Sequence, residues 1–113
     1  YLSNCDSGRI IVLVSMSGKR SKSRLAGYSM SKFALMSLCQ TMRNEGWNKG
    51  IRVTAICPGW VNTEMAKEIN HFPKEDMTQT NDIANICSTL LELPNSSVPF
   101  DISINCQLET TIY

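Results

Sequence analysis

The feature that most constrains this chain is an alternation between short β-branched runs and longer stretches of helical period. Residues 9–14, following Asp6-Ser7-Gly8, form a short run rich in β-branched residues that reads as a fully buried strand. A loop rich in Ser, Lys and Arg continues through Gly27. Residues 28–47 contain no proline, and Leu35, Leu38, Cys39 and Met42 recur at helical spacing, predicting a long helix that Gly46 or Gly50 can end. Residues 51–57 read as a second strand, stopped by Pro58-Gly59. After a polar, proline-broken stretch to about residue 79, Thr80 or Asn81 is placed to cap a second helix. Ile83, Ile86, Cys87, Leu90 and Leu91 would share its apolar face. Pro94 and Asn95 end that helix, and residues 98–106 read as a third strand. Strands joined by helices of this length make parallel, right-handed crossovers. The predicted fold is therefore α/β, an open parallel sheet with helices on both faces and its ligands at the carboxyl ends of the strands.

Composition narrows the classes further. The 113 residues are 42% hydrophobic and 19% charged with a formal net charge of +1, which excludes a disordered or low-complexity chain. The longest aliphatic run, residues 10–14, is far short of the roughly 20 residues that span a bilayer. No signal peptide is visible, so no membrane association is expected. Cys5, Cys39, Cys57, Cys87 and Cys106 are odd in number and widely spaced, without a C-x-x-C pair, and the single histidine, His71, has no cysteine near it. They read as reduced structural thiols of a cytoplasmic protein with no metal site. Asn95-Ser96-Ser97 matches a glycosylation pattern but reads as a turn. Residues 1–63 carry net +7 and residues 64–113 net −6, with Lys19, Arg20, Lys22 and Arg24 clustered. That cluster is short and has no interleaved aromatics, so it reads as a solvated loop and no nucleic-acid partner is expected.

Three features stand at strand carboxyl ends: Ser15, the pair Tyr28 and Lys32, and the run Pro58-Gly59-Trp60-Val61-Asn62-Thr63. A free phenol titrates near pH 10 and exchanges protons poorly at neutrality. A cation at i+4, about 6 Å away on the same helix face, favours the phenolate. A serine hydroxyl nearby can hold a carbonyl or alkoxide oxygen against that phenol. Taken alone, Tyr-x-x-x-Lys is an ordinary start to an amphipathic helix.

The combination resembles the short-chain dehydrogenase/reductase family. Gly27-Tyr28-Ser29-Met30-Ser31-Lys32-Phe33-Ala34 is similar to that family's active-site helix, with Ser15 at the matching upstream spacing. Gly50-Ile51-Arg52-Val53-Thr54-Ala55-Ile56-Cys57 followed by Pro58-Gly59-Trp60-Val61-Asn62-Thr63 is similar to its next strand and cofactor loop. The resemblance implies a Rossmann-like domain using NAD or NADP to interconvert a carbonyl and a secondary alcohol. Tyr28 would be the acid/base, and Lys32 would lower its pKa and bind the nicotinamide ribose. Ser15 would polarise the carbonyl, with Ser17 a weaker candidate for that role. Pro58 and Gly59 would let the backbone pass close to the nicotinamide. Val61 would contact the carboxamide through main-chain atoms, and Thr63 would contact it through its hydroxyl or bind the adjacent phosphate. Residues 62–79 fall where the family places its substrate lid, with Trp60, Met65, Ile69 and Phe72 as an apolar wall and His71 a solvated lid residue. The resemblance also implies a homodimer or homotetramer built through the Tyr28 helix.

Departures from the family pattern are equally specific. The glycine-rich phosphate loop, the acidic or basic cofactor selector and the tetrad asparagine have no counterpart here. The last strand runs into Gln107-Leu108-Glu109 rather than a glycine-rich ending. Residues 1–113 are thus expected to be the C-terminal half of one nucleotide-binding catalytic domain, without its N-terminal half. Two further readings are an incompetent half-domain acting as an interaction module and a sugar-nucleotide epimerase of the extended group. The thirteen-residue Ser15–Tyr28 spacing argues against the epimerase.

Overall fold

The computed structural model of the chain describes residues 7–15, 26–63, 73–107 and 109. Among them, β1 (Gly8–Leu13), β2 (Ile51–Pro58) and β3 (Asp101–Ile104) form one parallel sheet in the order β1-β2-β3. Helix α1 (Ala26–Gly46) lies between β1 and β2 in the chain, and α2 (Thr80–Glu92) lies between β2 and β3. Three-residue 3₁₀ turns occupy Trp47–Lys49, Lys74–Asp76 and Asn95–Ser97. The predicted order of strands and helices is therefore the observed one.

Strand register decides what each helix covers. Gly8 pairs with Ile51 and Leu13 with Ile56, while Ala55 pairs with Asp101 and Pro58 with Ile104. Because side chains alternate across a strand, Val14, Val53, Ala55 and Cys57 share one face, where they bury against Met36 and Cys39 of α1. Ile10, Val12, Leu35, Met42 and Phe100 complete that layer. The opposite face carries Arg9, Arg52 and Ile56. There Arg9 donates from Nη2 to the Leu93 carbonyl at 2.8 Å, and Arg52 donates from Nε to the Asn95 carbonyl at 3.0 Å. Both accept at the exit of α2, so the two helices take opposite faces of the sheet.

Several boundaries and burials differ from expectation. β1 is not fully buried: it lies at the edge of the described sheet, and Leu13 remains 55% exposed. On α1, Leu38 faces outward, and on α2 so does Leu91 at 61% exposure, while Ile83 and Leu90 are buried. Neither Thr80 nor Asn81 caps α2. The cap position is Gln79, which makes no side-chain capping bond. Its amide is committed instead to Asn62 and to the carbonyls of Lys74 and Met77. β3 is shorter than residues 98–106, because Asn95–Ser97 forms a 3₁₀ turn and Pro99 has no N–H for a ladder. α1 ends at Gly46, and Gly50 closes the following turn in the left-handed region at φ 77°.

Candidate active site

The carboxyl ends of the three strands meet along one edge of the sheet. The Val14 amide donates to the Ile56 carbonyl at 2.8 Å, extending the β1–β2 ladder up to Ser15. The Gly59 amide donates to the Ile104 carbonyl at 2.8 Å, extending the β2–β3 ladder in the same way. Ser15 and the Pro58-Gly59 turn therefore leave adjacent strands side by side. Ser15 has φ 105°, a conformation that side chains with a Cβ rarely adopt. Such strain concentrates where the surrounding structure fixes a functional group.

α1 presents its amino-terminal half toward this edge. Tyr28 lies in its first turn by backbone position, and its side chain is outside what the structure describes. Lys32 follows one turn later and is half-buried. One further turn along, Met36 is buried, and the Cys57 thiol donates to its thioether at 3.9 Å. Residues 28, 32 and 36 thus share a helix face by period, and the third is fixed to β2 just before Pro58.

Beyond Gly59 the chain folds against residues 77–79. The Thr78 amide donates to the Trp60 carbonyl at 3.0 Å, and the Asn62 amide donates to the Thr78 carbonyl at 2.9 Å. Val61 and Thr78 are the bridge pair between them. In a parallel bridge of this kind the flanking peptides carry the bonds. The amide and carbonyl of Val61 itself consequently point away from Thr78. Asn62 donates from Nδ2 to Gln79 Oε1 at 3.1 Å, and Thr63 is exposed.

The structure thus brings Ser15, Pro58, Gly59 and Val61 to one edge and ties the helix of Lys32 to it. Thr63 stands further out. Ser17, the cluster Lys19, Arg20, Lys22 and Arg24, and Met65, Ile69, His71 and Phe72 lie outside the described residues, as does Cys5. Cys39, Cys57 and Cys106 are buried thiols in no disulfide and Cys87 is half-buried, with burial pushing the Cys39 thiol above its usual range. Among the described residues, no group of three His, Cys, Asp or Glu side chains is placed to hold a metal ion, and no helix is long and apolar enough to cross a membrane.

One residue at this edge escaped the motif reading. Oε1 of Glu109 accepts from the Trp60 amide at 3.1 Å and from the Cys106 amide at 3.0 Å. The carboxylate lies directly over the Gly59 α-carbon, where any Cβ would overlap it. Nothing in the local pattern around Glu109 signals a contact fifty residues back in the chain.

Comparison with known proteins gives the family and the fold. Residues 1–74 match the family model described as short chain dehydrogenase. Agropine synthesis reductase of Rhizobium rhizogenes is 39% identical over 110 residues, covering 97% of this chain and 26% of that protein. A betaketoacyl-[ACP] reductase from Bacteroides thetaiotaomicron superimposes with a TM-score of 0.79 at 34% identity, covering 94% of this chain and 44% of that one. An alcohol dehydrogenase from the archaeon Thermococcus sibiricus, complexed with 5-hydroxy-NADP, shares the fold with a TM-score of 0.78 at 24% identity, covering 97% of this chain and 46% of that one. The chain therefore spans about a quarter of that curated relative and under half of these solved chains.

Proposed function

This chain belongs to the short chain dehydrogenase family, and from that premise we propose that it transfers a hydride between NAD or NADP and a carbonyl or secondary-alcohol substrate, with Tyr28 as acid/base. The observation that carries the reading is the orientation of Val61. Its N–H and C=O turn away from the Thr78 bridge at the sheet edge, offering one donor and one acceptor side by side. That pairing complements a carboxamide, whose C=O accepts and whose NH2 donates. The residues present fit a nicotinamide there, and when bound it supplies the hydride donor or acceptor.

Within that arrangement the chain's own groups do the following. Ser15 holds the substrate oxygen at the end of β1. Tyr28 gives a proton to that oxygen in reduction and takes it back in oxidation. Lys32, one turn along the same face, keeps the phenol in a range where it exchanges protons near neutrality and binds the ribose. Pro58 and Gly59 shape the turn, and Thr63 binds from the loop. We take the 113 residues as the C-terminal half of one nucleotide-binding domain in a cytoplasmic enzyme. The exposed apolar residues Met30, Phe33 and Leu38 of α1 support its association as a homodimer or homotetramer.

The test is isotope transfer in the complete protein that carries this segment. With NADPH or NADH deuterated at nicotinamide C4, the label is expected at the carbinol carbon of the product. Tyr28→Phe is expected to reduce turnover by about 100-fold or more while leaving cofactor affinity nearly unchanged. Cofactor binding without net transfer of label would favour the epimerase reading. Absence of cofactor binding would favour the interaction module.

A further inference from the structure

The Gly59 turn has its own internal partner. Gly59 is expected to be glycine so that its backbone can approach a cofactor, yet the structure puts the Glu109 carboxylate against its α-carbon. That carboxylate is not a loose surface group. Oε1 accepts two backbone amides, Trp60 on the turn after β2 and Cys106 on the turn after β3. Its own backbone closes the second turn: the Glu109 amide donates to the Cys106 carbonyl at 3.1 Å, and Asn105 donates from Nδ2 to the Glu109 carbonyl at 3.3 Å. The Gln107 amide, donating to the Asp76 carbonyl at 3.0 Å, anchors the same segment to residues beside the Thr78 bridge. A carboxylate receiving two backbone amides makes bonds roughly twice as strong as neutral ones.

We propose that Glu109 is the positioning residue of the cofactor loop: its carboxylate fixes the Gly59-Trp60 peptide, and through it the direction of the Val61 amide and carbonyl. Gly59 is glycine because only a bare α-carbon leaves room for this carboxylate. Glu109 touches neither substrate nor cofactor and acts only through the turn. The chain thereby replaces a glycine-rich ending after β3 with a side-chain anchor. The inference rests on the reading of residues 58–63 as the cofactor loop, but its central test needs no cofactor.

Amide hydrogen exchange supplies that test. Glu109→Ala is expected to speed exchange at Trp60 and Cys106 about tenfold or more, while Val14, bonded to Ile56 away from the carboxylate, keeps its rate. Glu109→Gln retains an acceptor oxygen and is expected to restore part of the protection. If the alanine variant unfolds, the glutamine variant still separates local from global effects. Equal acceleration at all three amides overturns the proposal.

A double-mutant cycle adds a second arm. Gly59→Ala is expected to push the carboxylate off its two amides, costing about as much as Glu109→Ala, and to add little in the Glu109→Ala background, where the overlap is already gone. Additive effects overturn the proposal. Finally, NADPH titration of the complete protein is expected to show about tenfold weaker binding in Glu109→Ala. Tighter binding would mean that the carboxylate blocks cofactor space, and would overturn it. If the parent protein binds neither NADPH nor NADH, the functional reading fails while the exchange and cycle results still judge Glu109.

Discussion

The Cys57 thiol donates to the Met36 thioether at 3.9 Å, joining the middle of α1 to the last residue of β2 before Pro58. Both side chains are buried, and the contact lies two helical turns from Tyr28 and one from Lys32. A soft, polarizable sulfur pair fills the irregular space where a helix crosses a strand end. With Cys39, Leu35 and Met42 it packs α1 against the sheet, and this packing holds the face that residues 28 and 32 share by period. The positioning of the proposed acid/base depends on packing that carries no chemistry itself.

Replacing Met36 tests that dependence. Met36→Ala removes a buried side chain and is expected to cost about 2–5 kcal/mol of stability. Met36→Leu conserves volume and is expected to cost less than about 1.5 kcal/mol. Urea unfolding of both variants gives the two values. In the complete protein, the leucine variant is expected to lose part of kcat and part of its cofactor affinity, because α1 resettles by a fraction of an ångström and carries Lys32 with it. An unchanged kcat would show that the sulfur contact does not set the position of Lys32.

Ser15 gives a prediction in which stability and activity move differently. Its φ of 105° is strained for any residue with a Cβ. Ser15→Gly relieves that strain and Ser15→Ala keeps it, so the glycine variant is expected to be about 1 kcal/mol more stable than the alanine variant. Both lose the hydroxyl and are expected to lose kcat/KM to a similar, large extent. Denaturant midpoints and steady-state kinetics on the pair check both statements. Equal midpoints would mean the backbone at position 15 carries no strain.

Much of this was legible in the sequence because it is local. The alternation of residues 9–14 and 51–57 with long helical stretches fixed strand and helix order, and Pro58-Gly59 marked the end of β2. The errors came from long-range packing. Leu38 and Leu91 fit an apolar periodicity yet face outward, since the sheet covers only part of each helix surface. Gln79 replaced Thr80 and Asn81 at the cap because the fold brings Asn62 to it. Glu109 was invisible as a site residue for the same reason: its partners are Trp60 and Gly59.

At the opposite end of the sheet, Arg9 and Arg52 stand directly opposite each other in register. Two like charges are tolerated there because each donates to a different carbonyl at the exit of α2, Leu93 and Asn95. Arg52 also donates from Nη1 to the Trp47 and Ile51 carbonyls, and its guanidinium carbon lies 3.4 Å from the Trp47 ring centroid. A lysine cannot reproduce this fork and stack. Arg52→Lys is expected to cost about 1–3 kcal/mol and to alter Trp47 fluorescence. The six residues to Pro58 span about 20 Å, so kcat/KM is expected to stay unchanged. A loss of activity without a loss of stability would contradict the structural role.

Lys32 is the residue whose charge the proposed chemistry needs most directly. Lys32→Met removes the cation one helical turn from Tyr28 and the contact to the ribose while keeping the apolar stem. In alcohol oxidation the phenolate is the base, and without the cation it forms only at higher pH. The residual oxidation rate is therefore expected to be much lower near neutrality and to rise toward alkaline pH, its midpoint displaced upward from the parent enzyme's. KM for the cofactor is expected to increase as well, from the lost ribose contact. Rate profiles between pH 6 and about 10.5 in the complete protein decide it, the upper limit being set by the phenol's ordinary pKa near 10. A reduced rate with an unshifted midpoint would leave Lys32 as a binding residue and remove its electrostatic role, whereas a shifted midpoint at unchanged cofactor KM would assign it to the phenol alone.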